Sequence, residues 1–274
     1  MQDISCKLRK LTACDYAVSA LSGGTTTQLA IFPPEAKYAD RDFLWRVSSA
    51  TVELEKSDFT ALPDYDRLIA TLKGEITLTH NGGAPLTLQP YAVHAFSGAD
   101  VTHSVGRCTD FNLMLRRGRA VGTMEALRLT EAPTCLNVGG SESVGDGSPV
   151  PLSHGSEAVG TSIACPQSSP AETVLLYCAE GECSAEVSTD RPQTASACSA
   201  GNLPAVPPAA SHGATLCAAT GSFPACHSER SVAESKNPSS PASLHAGETL
   251  LLTAPATLTL TGRGMLMLCR INTI

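Results

Sequence analysis

Three arginines and a set of amide and hydroxyl side chains are the residues of this chain whose types and spacing suit chemistry, and that chemistry is anion recognition. In Asp42-Phe43-Leu44-Trp45-Arg46-Val47-Ser48-Ser49-Ala50-Thr51-Val52 an arginine and serines interrupt a strand-like run. A strand sends alternate side chains to opposite faces, so Leu44, Arg46, Ser48 and Ala50 share one side and Trp45, Val47, Ser49 and Thr51 the other. Taken alone, the run slightly favours an ordinary sheet with Arg46 in water. The alternative is a barrel interior, where a guanidinium requires an internal carboxylate or an anionic ligand. In Asp110 to Arg116, Phe111, Leu113 and Leu115 form a core face and leave Asp110, Asn112, Met114 and Arg116 on the other. Arg46 with Ser48, and Asn112 with Arg116, could then line one barrel mouth, with Arg67 as a third cationic contact. Forked donors suit a carboxylate, and amide and hydroxyl groups fix its orientation. Each also has a plain alternative: Arg67 pairing Asp64 or Asp66, Arg116 on a solvated edge, Asp110 capping a turn. Thr25 and Thr26, in Gly23-Gly24-Thr25-Thr26-Thr27, could offer hydroxyls and backbone amides to an anion. The preferred reading of that stretch is a bend into the barrel.

Other chemistries lack their residues. There is no His-x-His; His80, His94 and His103 fall on different strands or turns without a partnering glutamate, and His245-Ala246-Gly247-Glu248 reads as an exposed turn. No metal and no cofactor is expected. Cys178, Cys183, Cys217, Cys226 and His227 contain no Cys-x-x-Cys pair, so adventitious thiols are favoured over zinc ligands. Gly-x-Ser-x-Gly, phosphate-loop and dinucleotide fingerprints are absent, and no catalytic residue is assigned.

The elements that must position the arginines are short strands. Apolar runs at Gln28 to Phe32, Phe43 to Leu54, Arg67 to Leu72, Ile76 to Leu78, Leu86 to Leu88, Val93 to Phe96, Val101 to Val105 and Phe111 to Leu115 are broken by Gly, Pro, Asn and Asp, the signature of an all-β sandwich or barrel. Asn81-Gly82 suits a hairpin turn because both residues tolerate positive φ. Composition then changes: about 137–171 and about 188–243 are rich in Gly, Ser, Pro and Ala and read as flexible insertions, with a strand-like island at Thr173 to Cys178. Three strands are expected at the end, at Leu244 to Leu252, Ala256 to Leu260 and Met265 to Ile271, the last two separated by Gly262-Arg263-Gly264.

The 274 residues carry a net charge of −7, with 42% hydrophobic and 16% charged residues. No basic run interleaved with aromatics is present, so nucleic acid is disfavoured as a partner. No secretory signal or membrane-length apolar segment is evident, which points to the cytoplasm. There the 11 cysteines would be mostly free thiols.

Four segments in one order carry a resemblance: Gly23 to Pro34, Arg41 to Ala50, Phe59 to Arg67, and Asp110 to Gly118. Together they resemble the HutD/Ves family over roughly Gly23 to Gly118, and the strands from Leu244 onward look like the end of the same fold. The resemblance implies a duplicated double-stranded β-helix, or bicupin, in a cytoplasmic bacterial protein, with some relatives linked to histidine utilisation. It divides the chain into an N-terminal cupin-like barrel, 1–118, and a C-terminal one, 119–274, interrupted by the insertions. Relatives usually carry a Trp before the glycine pair and an acid after the threonines, where Ala20-Leu21-Ser22 and Gln28 stand here. The expected function is binding of a small carboxylate by Thr25, Thr26, Arg46, Ser48, Arg67, Asn112 and Arg116, as a sensor or modulator. The alternatives are a metal-independent isomerase or hydrolase, and a protein-interaction scaffold. A homodimer is allowed.

Overall fold

The computed structural model describes residues 7–21, 23–139, 172–188, 241–253 and 255–274. Among them there is no α-helix, only seventeen strands and two 3-10 turns, Ala13–Asp15 and Tyr38–Asp40. In chain order the first nine strands are β1 (Lys7–Leu11), β2 (Ala17–Leu21), β3 (Gly24–Phe32), β4 (Trp45–Val52), β5 (Lys56–Asp58), β6 (Tyr65–Lys73), β7 (Ile76–His80), β8 (Leu86–Leu88) and β9 (His94–Ser97). They are followed by β10 (Thr102–Val105), β11 (Cys108–Arg116), β12 (Ala120–Leu129), β13 (Thr134–Val138), β14 (Thr173–Ser188), β15 (Ala242–His245), β16 (Thr249–Thr253) and β17 (Ala256–Thr273).

Three antiparallel sheets result. A six-stranded sheet, β2-β3-β4-β11-β6-β9, faces a four-stranded one, β5-β10-β7-β8. Between them lies a cluster of Ile69, Ile76, Leu78, Leu88 and Cys108. The turn after β7 has Asn81 at φ 51 and Gly82 at φ 70, and β7 pairs β8 in the register Ile76 with Leu88 and Leu78 with Leu86. The hairpin forms where that dipeptide allows it.

The third sheet runs β1-β16-β14-β17-β12, with β13 on β17 and β15 on β14. Its inner face is filled by Val174, Leu176, Cys178, Leu250, Leu252, Leu258, Leu260, Leu266 and Leu268. Its other face sets Leu175, Met267, Cys269 and Ile271 against Trp45, Val47, Leu68, Phe111, Leu113 and Leu115 of the six-stranded sheet. This apolar seam holds the halves together. The chain's first described strand, β1, pairs with β16, Lys7 opposite Thr253, and so joins the sheet built by the C-terminal half.

Three expectations about strands are corrected. The run Leu244 to Leu252 is not one strand but parts of two, β15 and β16, separated by a turn at 246–248. Gly262-Arg263-Gly264 does not end a strand: β17 is continuous over 18 residues, pairing β13 with its first part and β12 with its last. The island at Thr173 to Cys178 is the start of β14, which has 16 residues. The expected insertions fall almost wholly outside the described residues; their margins lie in β13, β14 and β15.

Candidate functional site

Register decides which side chains meet. On β11, Met114, Asn112 and Asp110 lie opposite Arg46, Ser48 and Ala50 of β4, and opposite Arg67, Ile69 and Thr71 of β6. On β3, Gln28 lies opposite Ser48 and Thr26 opposite Ala50. Residues paired across a sheet share a face, so four neighbouring strands aim one polar set between the two N-terminal sheets. The opposite face of β4 and β11 is the apolar seam. Both faces are therefore buried, and the reading of Arg46 on a solvated face is overturned: it is only 5% exposed, Arg67 only 6%.

The two guanidiniums are held differently. Arg46 Nε donates to Gln28 Oε1 at 2.8 Å and Nη1 to Ser48 Oγ at 2.9 Å, and the group lies 4.5 Å from the Tyr38 ring centroid. Gln28, the residue that departs from the family's acid, thus still touches the arginine. Arg67 is different. It hydrogen-bonds to none of the described residues, its Nε is buried without a partner, and the guanidinium packs against Phe59 at 4.9 Å and Phe96 at 5.1 Å. The plain alternative, pairing with Asp64 or Asp66, does not form; Arg117 takes Asp66. Burial pushes the Arg67 pKa down to about 10, against the pull of Asp110.

Asp110 caps no turn. It accepts a hydrogen bond from the Ala50 N–H at 3.1 Å and is enclosed in the interior. Burial raises its pKa to about 6, even though the Ala50 N–H, Arg67 and Arg46 all favour the charged form. Close by in register, Asn112 Oδ1 and Thr71 Oγ1 are buried with no hydrogen-bond partner among the described residues. Buried polar atoms in native proteins are almost always paired, so three such atoms on adjacent strands single this interior out as the candidate site.

Arg46, Ser48, Arg67 and Asn112 come together. Thr26 shares their face and is half-buried, whereas Thr25 lies opposite Thr51 and is exposed. Arg116 stands apart: along β11 it is separated from Asn112 by Met114, which packs with Phe43, Leu62 and Tyr65, and its Nη1 donates to the Arg41 carbonyl at 3.3 Å. Asp110, Thr71, Tyr38, Phe59 and Phe96 join the set. Asp110 and Thr71 were recoverable from the alternation of β11 and β6; the aromatic walls depend on strand pairing that no single segment shows. His245 and Glu248 form the expected exposed turn, with the His245 N–H donating to Glu248 Oε2 at 2.8 Å. Among the described cysteines, Cys108, Cys135, Cys178, Cys183 and Cys269 carry no disulfide. No helix among the described residues is long and apolar enough to cross a membrane.

Comparison with known proteins places this arrangement. The chain is similar in structure to a conserved protein of unknown function from Pseudomonas aeruginosa PAO1, at 19% identity and TM-score 0.58, covering 97% of this chain and 98% of that one. It is similar to HutD from Pseudomonas fluorescens SBW25, described for a formate condition, at 17% identity and TM-score 0.56, covering 97% and 99%. Protein Ylba from E. coli follows at 8% identity and TM-score 0.52, covering 98% and 91%. At these identities the likeness concerns the fold, which is all-β. No curated protein matches the chain. The HutD family model matches residues 21–144 of this chain, from before the glycine pair to beyond β13.

Proposed function

We propose that the chain binds a small carboxylate between its two N-terminal sheets and acts as a sensor or modulator. The observation that carries this reading is Arg67, a buried cation with an orphaned Nε and no hydrogen bond to any of the described residues. With Arg46 also buried and Asp110 the one carboxyl of the set, the interior holds an excess of one positive charge when Asp110 is ionised. An anion neutralises that excess and takes the forked donors that the protein leaves open. We read the whole chain as a duplicated double-stranded β-helix in which only the first unit keeps a polar interior, the second being filled by leucines and valines. The setting of this reading is the cytoplasm, with a link to histidine utilisation that rests on family resemblance.

Formate is the first probe, as the smallest carboxylate and the one named for the Pseudomonas fluorescens HutD structure. By mass action, the melting temperature should rise with formate concentration, and the rise should vanish in Arg67→Met. A melting temperature indifferent to formate, acetate and larger carboxylates, or a shift that survives Arg67→Met, rejects the site. A second reading, a metal-independent isomerase or hydrolase, is favoured by Asp110, whose pKa near 6 suits proton transfer close to neutrality. Turnover of a stabilising ligand decides for it.

A further inference from the structure

A second polar constellation, separate from the arginines, spans the two N-terminal sheets. His80 ends β7 in the four-stranded sheet and His94 begins β9 in the six-stranded one, and their Nε2 atoms face each other at 3.0 Å. The rings lie 5.1 Å apart, centroid to centroid, and Phe96 flanks both. At that separation one Nε2 carries the proton and the other accepts it.

The surrounding bonds favour one assignment. With Thr102 Oγ1 donating its one proton to the Asp100 carbonyl at 3.3 Å, the hydroxyl accepts from His80 Nδ1 at 2.8 Å. A neutral His80 protonated at Nδ1 has a bare Nε2, and the proton between the rings belongs to His94. His80 is therefore set as a metal ligand is set, with one nitrogen anchored by a donor bond and the other lone pair aimed outward. His94 Nδ1 hydrogen-bonds to none of the described residues, so moving its proton from Nε2 to Nδ1 breaks no bond other than the one a cation would replace.

We propose that a divalent transition ion, with Zn2+ as the probe, binds between His80 Nε2 and His94 Nε2 and clips the two sheets together. Two nitrogens at tetrahedral positions about 2.0–2.1 Å from zinc lie about 3.3 Å apart, so the Nε2 atoms must separate by about 0.3 Å while both rings tilt to aim their lone pairs at the ion. Imidazole pairs suit zinc, copper and nickel. Among the described residues no group of three or more His, Cys, Asp or Glu side chains is placed to hold an ion, so water or a ligand carboxylate completes the shell and binding is weaker than at a three-ligand site. Phe96 packs against both histidine rings and against the Arg67 guanidinium.

The test is calorimetric titration of the full chain with Zn2+ after its accessible thiols have been alkylated. One equivalent is expected, raising the melting temperature, and affinity should fall at least tenfold in His80→Gln and in His94→Gln while His103→Gln matches the wild type. Should either variant fail to fold, 15N spectra of the wild-type histidines provide the second measurement: Zn2+ should move the Nε2 signals of two of the seven histidines and transfer the His94 proton to Nδ1. Absence of binding in the wild type, variants that bind like it, or sulfur in the zinc coordination shell seen by X-ray absorption overturns the proposal.

Discussion

Arg67 costs the fold stability if its only role is structural. A buried ion without hydrogen bonds is commonly replaced by apolar groups at no loss, but removing one member of a coupled pair strands the other. The informative variant is therefore Arg67→Met combined with Asp110→Asn. Urea unfolding should find it at least as stable as the wild type, while its response to formate is lost; a large destabilisation would mean that the charges hold the barrel together. Asp110 by itself makes a pH prediction. Its folded pKa of about 6 lies above the ordinary 3.8, so the native state binds this proton more tightly than the unfolded chain does. Its stabilising contribution is complete below the unfolded pKa and is lost as pH rises through the folded one, amounting to about 3 kcal/mol between roughly pH 4 and pH 6. Asp110→Asn, which keeps an oxygen for the Ala50 N–H, should flatten that part of the stability profile measured by urea titration. These residues were half legible in the sequence. Alternation along β4 and β11 set Arg46, Ser48, Asp110 and Asn112 on their faces, but it could not reveal that both faces are buried, because the seam covering Trp45 and Val47 is supplied by β14 and β17, far away in the chain.

At the scale of elements, the long pair β14 and β17 depends on glycine where sequence reading saw only interruption. Gly264 has φ +152, and a Cβ there would lie 1.9 Å from the Glu180 carbonyl oxygen. The register of β14 on β17 shifts between Cys178 and Glu180, so the glycines let the strand follow a bulge in its partner and continue. Gly264→Ala should cost more than about 2 kcal/mol from backbone strain alone, with the collision in addition, read as a lowered urea midpoint. The short strands of the first half were legible for the opposite reason: each is bounded by a turn whose residues, such as Asn81 and Gly82, prefer positive φ. The break between β12 and β13 is marked by Pro133 alone, with no Asn or Gly to take positive φ, and Leu127 and Leu136 pack against the core of the C-terminal sheet.

At the scale of the molecule, the apolar seam makes one cooperative unit of the two halves. Leu113 is fully buried in it, and Leu113→Ala should cost about 2–5 kcal/mol while leaving a single unfolding transition by circular dichroism and tryptophan fluorescence. Trp45, the one tryptophan, reports from the seam itself; two separate transitions would show that the halves fold independently. The pairing of β1 with β16 bears on how this chain is made. Lys7–Leu11 leaves the ribosome long before the strand that receives it, Thr249–Thr253, has been synthesised. Until then that ribbon has no native strand partner, so its pairing is a late, long-range event, and a nascent chain stalled before Thr249 exposes Leu8 and Leu11 to any holdase that captures unpaired apolar segments.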